Sequence, residues 1–244
     1  SACTAAHNMM GKQLDLLGDW FGAWRAWDAV RALDYLLTRP EVDPTRVGLT
    51  GNSGGGTMTT WTWAWEPRFT MAAPSCFVTS FQNNLENELP ADAEQYPPGV
   101  IGAGLDMADF LIARAPQPVM LLGQTYDYFD RRGLRTAYQE IRHFYDVLGA
   151  KSKTDFFIGP QGHGYSVHNQ EAMVRFFCKQ AGVRPYRPLK KAPLVDAPEL
   201  NATPKGEVIP AGATPIYQMI KRSAEDAASM RKRLSRTEVR RRLK

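Results

Sequence analysis

The sequence predicts an α/β fold, with a mostly parallel sheet and flanking helices. Three observations carry this. Short apolar runs alternate with longer segments whose apolar residues recur at helical spacing, the order expected of strand–helix–strand units. The runs, such as PVMLLG at 118–123, are apolar at successive positions, as strands buried on both faces require. The stretch VGLTGNSGGG at 47–56 passes from an apolar run through glycines into a helical pattern, so a strand there turns sharply into a helix.

In chain order, Trp20, Trp24, Trp27, Val30, Leu33 and Leu37 share one face of an amphipathic helix over 19–37. Pro40 stops it, and Asp43-Pro44-Thr45-Arg46 reads as a turn. A buried strand over 47–50 leads into a helix over 54–65, and a second strand is expected at 69–73. Residues 74–105, rich in Asn, Glu, Asp and Pro, read as a long irregular segment; loops of that length are commonly functional rims or lids. A third strand at 118–123, a helix at 133–148, a fourth strand at 155–158 and a helix at 171–180 follow. Three regions result: a hydrolase-like portion over 1–182 (named on the motifs below), a proline-rich linker over 183–214 and a basic helical segment over 215–244.

Composition excludes some classes. The chain of 244 residues is 43% hydrophobic and 23% charged, ordinary for a globular domain, and no apolar run approaches the roughly 18 residues of a membrane span. Cys3, Cys76 and Cys178 match no zinc or redox spacing and read as free thiols. The sequence gives no reason to expect a metal or cofactor. The net charge of +5 comes from residues 221–244, where Lys221, Arg231, Arg233 and Arg240–Arg242 outnumber the acids. The basic balance describes a tail, read as a solvated helix, and nucleic acid is not an expected partner.

Ser53 sits in Gly51-Asn52-Ser53-Gly54-Gly55, a G-x-S-x-G pattern with a strand before it and a helix after it, the setting of a nucleophile elbow. Small residues two before and two after the serine let strand and helix nearly touch. Gly54 offers a backbone N–H at a helix start, where donors are unpaired and the helix dipole favours developing negative charge; it is the candidate oxyanion donor. A phosphate loop would need a Gly-Lys-Ser/Thr ending, which is absent.

A serine nucleophile needs a base, and the base an orienting acid. Of the four histidines, His7 precedes the serine and His143 lies within a helix. His163, in GPQGHGY after the fourth strand, sits where open α/β sheets place their sites; His168 is second. The acid is expected after the third strand, with Asp127 first and Asp130 second, one of the two capping the next helix. Asp92 and Glu94, after the second strand, are the remaining alternatives.

The run WRAWDAVRALDYLLTRPEVDPTRVGLTGNSGGG, with DAEQ, YDYFDRRG and GPQGHGY, resembles bacterial acetyl xylan esterase-like α/β-hydrolases, related to the prolyl oligopeptidase and dienelactone hydrolase groups. The similarity covers roughly residues 10–180. It implies an α/β-hydrolase fold and a serine esterase acting on acetyl or methyl esters of a small molecule or carbohydrate, in a periplasmic or secreted setting. Such a fold has several strands before the elbow, one loop of which supplies the second oxyanion N–H. This chain has no room for them, so the expectation is the middle of a longer hydrolase with its N-terminal strands missing. A prolyl oligopeptidase-like peptidase and a non-catalytic hydrolase-like module are the competing readings. Trp61, Trp63 and Trp65 read as packing rather than a sugar platform, while Asn83, Asn84, Glu86 and Asn87 are candidate substrate contacts.

Overall fold

The computed structural model describes residues 2–87, 91–184, 194–231 and 234–242. Four parallel strands, β1 (Gly48–Asn52), β2 (Met71–Ser75), β3 (Val119–Tyr126) and β4 (Thr154–Gly162), form one sheet in that order. The helices among the described residues are α1 (Ala2–Leu16), α2 (Phe21–Leu36), α3 (Gly54–Trp65), α4 (Phe81–Glu86), α5 (Met107–Ile112), α6 (Arg131–Val147), α7 (Val167–Ala181), α8 (Ile216–Met230) and α9 (Arg236–Arg242).

The successive apolar residues of the strands divide between two faces. Ala72, Val119 and Leu121 enter the larger core with Trp61, Trp63, Phe77, Leu111, Ile141 and Tyr145. Ala73, Met120 and Leu122 face Ala172 and Phe176 of α7. Both faces are therefore covered, as a parallel sheet requires. Beside β1, a Cβ added at Gly48 would lie 2.7 Å from the Phe177 ring, so that glycine lets the helix approach.

The predicted α3 has the observed bounds, and the other predicted elements agree within a few residues. One element was not anticipated, and two expectations are corrected. Helix α1 was not foreseen, because its apolar face is thin; it buries Leu14 against Phe21 and Ile220. The segment 74–105 is less irregular than its composition suggests: Pro74 and Ser75 remain in β2, α4 follows, and Ala93–Gln95 form one 3-10 turn. Helix α4 starts on a Ser80 side chain that accepts from the Asn83 N–H, and α5 on an Asp106–Asp109 capping box. Finally, the described residues of the basic segment form two helices, and the first is not merely solvated, since Ile220 is only 6% exposed in the cluster with Leu14 and Phe21. The linker expected over 183–214 lies partly outside the described residues; its described part contains one short 3-10 helix, Ala197–Leu200. Trp61 and Trp63 are buried as expected, whereas Trp65 is exposed against Trp27. Among the described residues no helix is long and apolar enough to cross a membrane.

Candidate active site

Parallel strands place their carboxyl ends on one edge of the sheet, and four of the loops leaving that edge carry chemistry. Ser53 follows β1 directly, the 92–95 turn follows β2, Asp127 follows β3 and His163 follows β4. Open α/β sheets bind ligands at that edge.

Ser53 has φ 58° and ψ −120°, a left-handed φ that costs a non-glycine residue energy. Its N–H donates to the Ser75 carbonyl at 2.9 Å, and its carbonyl accepts from the Thr57 N–H at 2.9 Å. The bend is therefore clamped between β2 and α3. The Ser53 side chain makes no capping bond to α3 and is available for other work. A Cβ added at Gly51 would come 2.5 Å from the backbone of Gly55, and one at Gly56 2.4 Å from the Ser75 carbonyl oxygen. A Cβ at Gly55 would meet nothing. The second steric constraint thus falls three residues after the serine, not two, because α3 packs on the end of β2. Gly54, the expected oxyanion donor, opens α3 and is exposed.

His163 Nδ1 lies 2.8 Å from Asp127 Oδ1. An ionised carboxylate only accepts, so Nδ1–H donates and Nε2 carries the lone pair. Oδ1 also accepts from the Phe129 N–H at 3.0 Å. The Asp127 side chain is 3% exposed and its Oδ2 is buried without a hydrogen-bond partner, while the nearby Cys76 thiol, a weak donor, donates to the Gly164 carbonyl at 3.5 Å. Burial alone would raise the Asp127 pKa, but His163, Cys76 and the Phe129 N–H together outweigh it and hold the carboxyl below its usual range. Cys76 is pushed up to about 12, first by burial and then by Asp127, so it stays a neutral thiol.

His163 Nε2 accepts from the Tyr128 hydroxyl at 2.8 Å, and the two rings stack at 4.1 Å between centroids. Burial raises the Tyr128 pKa, and a hydrogen bond from the Ser53 side chain opposes it. The phenol therefore touches both the serine and the imidazole nitrogen that faces it. The loop carrying His163 is fixed from below by Gln124, only 1% exposed, which donates to the Gly164 carbonyl at 2.9 Å and accepts from the Gln161 N–H at 3.1 Å.

The alternative acids go elsewhere. Asp130 caps α6 through the Arg132 N–H and pairs with the Arg132 guanidinium. Glu94 and Asp92 meet His7, at 2.7 and 3.3 Å from its Nδ1. His7, set aside in the sequence because it precedes the serine, lines a pocket of about 440 Å³ with Ser53, Gly54, Asp92, Glu94 and Tyr128. Eighty-five positions separate His7 from Asp92, and no local pattern signals their meeting. His168 and His143 are exposed on α7 and α6. Of the candidate substrate contacts, Asn84 is buried and lines the same pocket. Asn83 and Glu86 bond to each other, and Asn87 donates to the Tyr128 carbonyl.

The strand order, the helices on both faces and the bend at Ser53 define the α/β-hydrolase fold, and solved structures agree. The chain is similar to a carbohydrate esterase family 15 glucuronoyl esterase from Caldicellulosiruptor kristjansonii (TM-score 0.56, 19% identity, 73% of this chain and 55% of that one). It is similar to a glucuronoyl esterase from Solibacter usitatus (TM-score 0.57, 21% identity, 67% and 50%) and to the methylesterase BT1017 (TM-score 0.51, 23% identity, 64% and 34%). The model of the prolyl oligopeptidase family matches residues 15–99. A curated relative, "Putative hydrolase YtaP" of Bacillus subtilis (strain 168), is 34% identical over 71 residues, 29% of this chain and 24% of that protein. The chain thus spans about a quarter of that relative and between a third and just over half of those structures.

Proposed function

We propose that this chain carries the catalytic centre of a serine ester hydrolase acting on an acetyl or methyl ester of a carbohydrate. One observation carries the reading: a buried, hydrogen-bonded Asp127 orients His163, and one phenol joins that imidazole to a serine held at a strained strand-to-helix bend. The similarity to glucuronoyl esterase and methylesterase structures supports the ester and carbohydrate parts.

In the proposed reaction Ser53 Oγ attacks the ester carbonyl while His163 Nε2 takes its proton. Asp127 keeps Nδ1 protonated and stabilises the imidazolium. The Gly54 N–H stabilises the tetrahedral oxyanion, a donor of a kind worth about 3–4 kcal/mol. His163 then protonates the leaving alcohol, and water activated by the same imidazole releases the acid from the acyl-enzyme. For this to run, the Tyr128 hydroxyl gives up its bond to Nε2 as substrate enters, which an exposed side chain such as Tyr128 can do.

The test is active-site labelling with a fluorophosphonate, together with hydrolysis of acetylated xylan and of methyl and aryl glucuronate esters. Labelling of the native protein, its loss in Ser53→Ala and turnover of at least one ester are expected. Equal labelling of both proteins would remove the mechanism. Cleavage of prolyl peptides without ester turnover would favour the peptidase reading, which the matched family model keeps in view.

A further inference from the structure

We propose that His7, Asp92 and Glu94 form a binding site for a divalent first-row cation beside Ser53. The His7 Nδ1 and one oxygen from each carboxylate lie within 4.8 Å of one another. The Nδ1 separation of 3.3 Å from Asp92 matches the roughly 3.3–3.6 Å edge of a tetrahedron built on metal–ligand bonds of about 2.0–2.2 Å, and the 2.7 Å separation from Glu94 is a hydrogen bond that would open on metal binding. One imidazole with two carboxylates suits Mn²⁺ or Zn²⁺ better than a soft ion.

A His–carboxylate ion pair alone leaves the cluster unsatisfied. The Glu94 side chain is 3% exposed, yet its Oε2 has no hydrogen-bond partner. Asn84 is 1% exposed; its amide N–H donates to the Tyr96 hydroxyl, and its Oδ1 is also buried without a partner. Both orphans are acceptors, both residues line the Ser53 pocket, and no lysine or arginine does so among the described residues. Buried acceptors beside two carboxylates and one imidazole call for positive charge.

The cluster is also preorganised. The Trp61 indole donates to the Glu94 carbonyl at 2.8 Å and the Trp20 indole to the Ala93 carbonyl at 3.2 Å, which fixes the turn that carries both carboxylates. His7 Nε2 lies 3.5 Å from the Cys3 sulfur, a weak contact that leaves Nδ1 as the ring nitrogen facing the carboxylates. Three protein ligands leave coordination positions open toward the pocket. The binding claim does not depend on the esterase reading.

The protein is stripped with a chelator, dialysed, and titrated with MnCl₂ followed by electron paramagnetic resonance, and with ZnCl₂ followed by calorimetry. One saturable site is expected in the native protein and in Ser53→Ala. Affinity should fall roughly tenfold or more in Asp92→Asn and vanish in Asp92→Asn/Glu94→Gln. Should circular dichroism show the double variant unfolded, His7→Ala, at a half-buried position on α1, takes its place with the same expected loss. Absence of a saturable site, or a stoichiometry that these substitutions leave unchanged, overturns the proposal.

Discussion

Asp127 combines deep burial with a pKa held below the carboxylate range by the groups around it. A carboxyl whose folded pKa is depressed stabilises the native state above its unfolded pKa of about 4, and that contribution is lost as pH falls through the folded value. The gap in Tm between native protein and Asp127→Asn should therefore be widest near neutrality and shrink below about pH 4, a comparison that thermal scans across pH will check. At neutral pH the same substitution presents the wrong partner to His163 Nδ1, and kcat for ester hydrolysis should drop by about ten-thousand-fold. Tyr128 lends itself to a sharper test. Its hydroxyl occupies the nitrogen that the proposed reaction needs, so Tyr128→Phe should label with fluorophosphonate as fast as native protein or faster. Labelling slowed about a hundredfold would instead make the phenol an obligatory proton relay between Ser53 and His163. That Ser53, Asp127 and His163 stand near the carboxyl ends of strands was legible in the sequence from the apolar runs, although the runs at 118–123 and 155–158 stop three and four residues before β3 and β4 do. Tyr128 was not legible as an intermediary, since what it touches depends on a rotamer rather than on position.

At the level of single elements, the join between β1 and α3 illustrates how a fold enforces glycine. Gly51 meets the Gly55 backbone at a distance no real Cβ tolerates, while Gly55 itself faces open space. Gly51→Ala should cost about 1–3 kcal/mol through forced displacement. Gly55→Ala should cost less, or even stabilise α3 by up to about 1 kcal/mol, because alanine is the better helix former; urea unfolding of the two variants will separate them. The other end of α3 is closed by Arg114, whose guanidinium donates to the carbonyls of Trp63, Glu66, Pro67 and Phe69 and lies 4.0 Å from the Trp63 ring centre. One charged side chain thus caps a helix C-terminus and pins the entry to β2. Arg114→Leu should lower stability by at least about 2 kcal/mol, since charge-assisted bonds contribute about 1.5–3 kcal/mol each and are not additive. Neither the sequence spacing nor the composition announces this cap, because the arginine lies 48 residues from Glu66, whose carbonyl it bonds.

Across the whole molecule, the C-terminal region is tied back to the beginning of the chain. Ile220 of α8 buries beside Leu14 of α1 and Phe21 of α2, although composition alone suggested a solvated tail. Ile220→Asp should release α8, so that limited proteolysis within residues 194–231 accelerates while fluorophosphonate labelling of Ser53 persists. Loss of labelling along with α8 would show that the packing supports the site as well. The sequence by itself determined the α/β class, the order of its strands and helices, the bend at Ser53, and the strand ends at which a base and an acid could stand. These properties are local: they depend on periodicity, on glycine and proline, and on neighbours a few residues away. Only the tertiary structure decided which acid meets which histidine. Asp127 turns to His163, Asp130 to its own helix, and Asp92 and Glu94 to His7 on a helix that the periodicity did not reveal. Side chains far apart in the chain meet only once the sheet brings four loops to one edge, and no local pattern records which of them will touch.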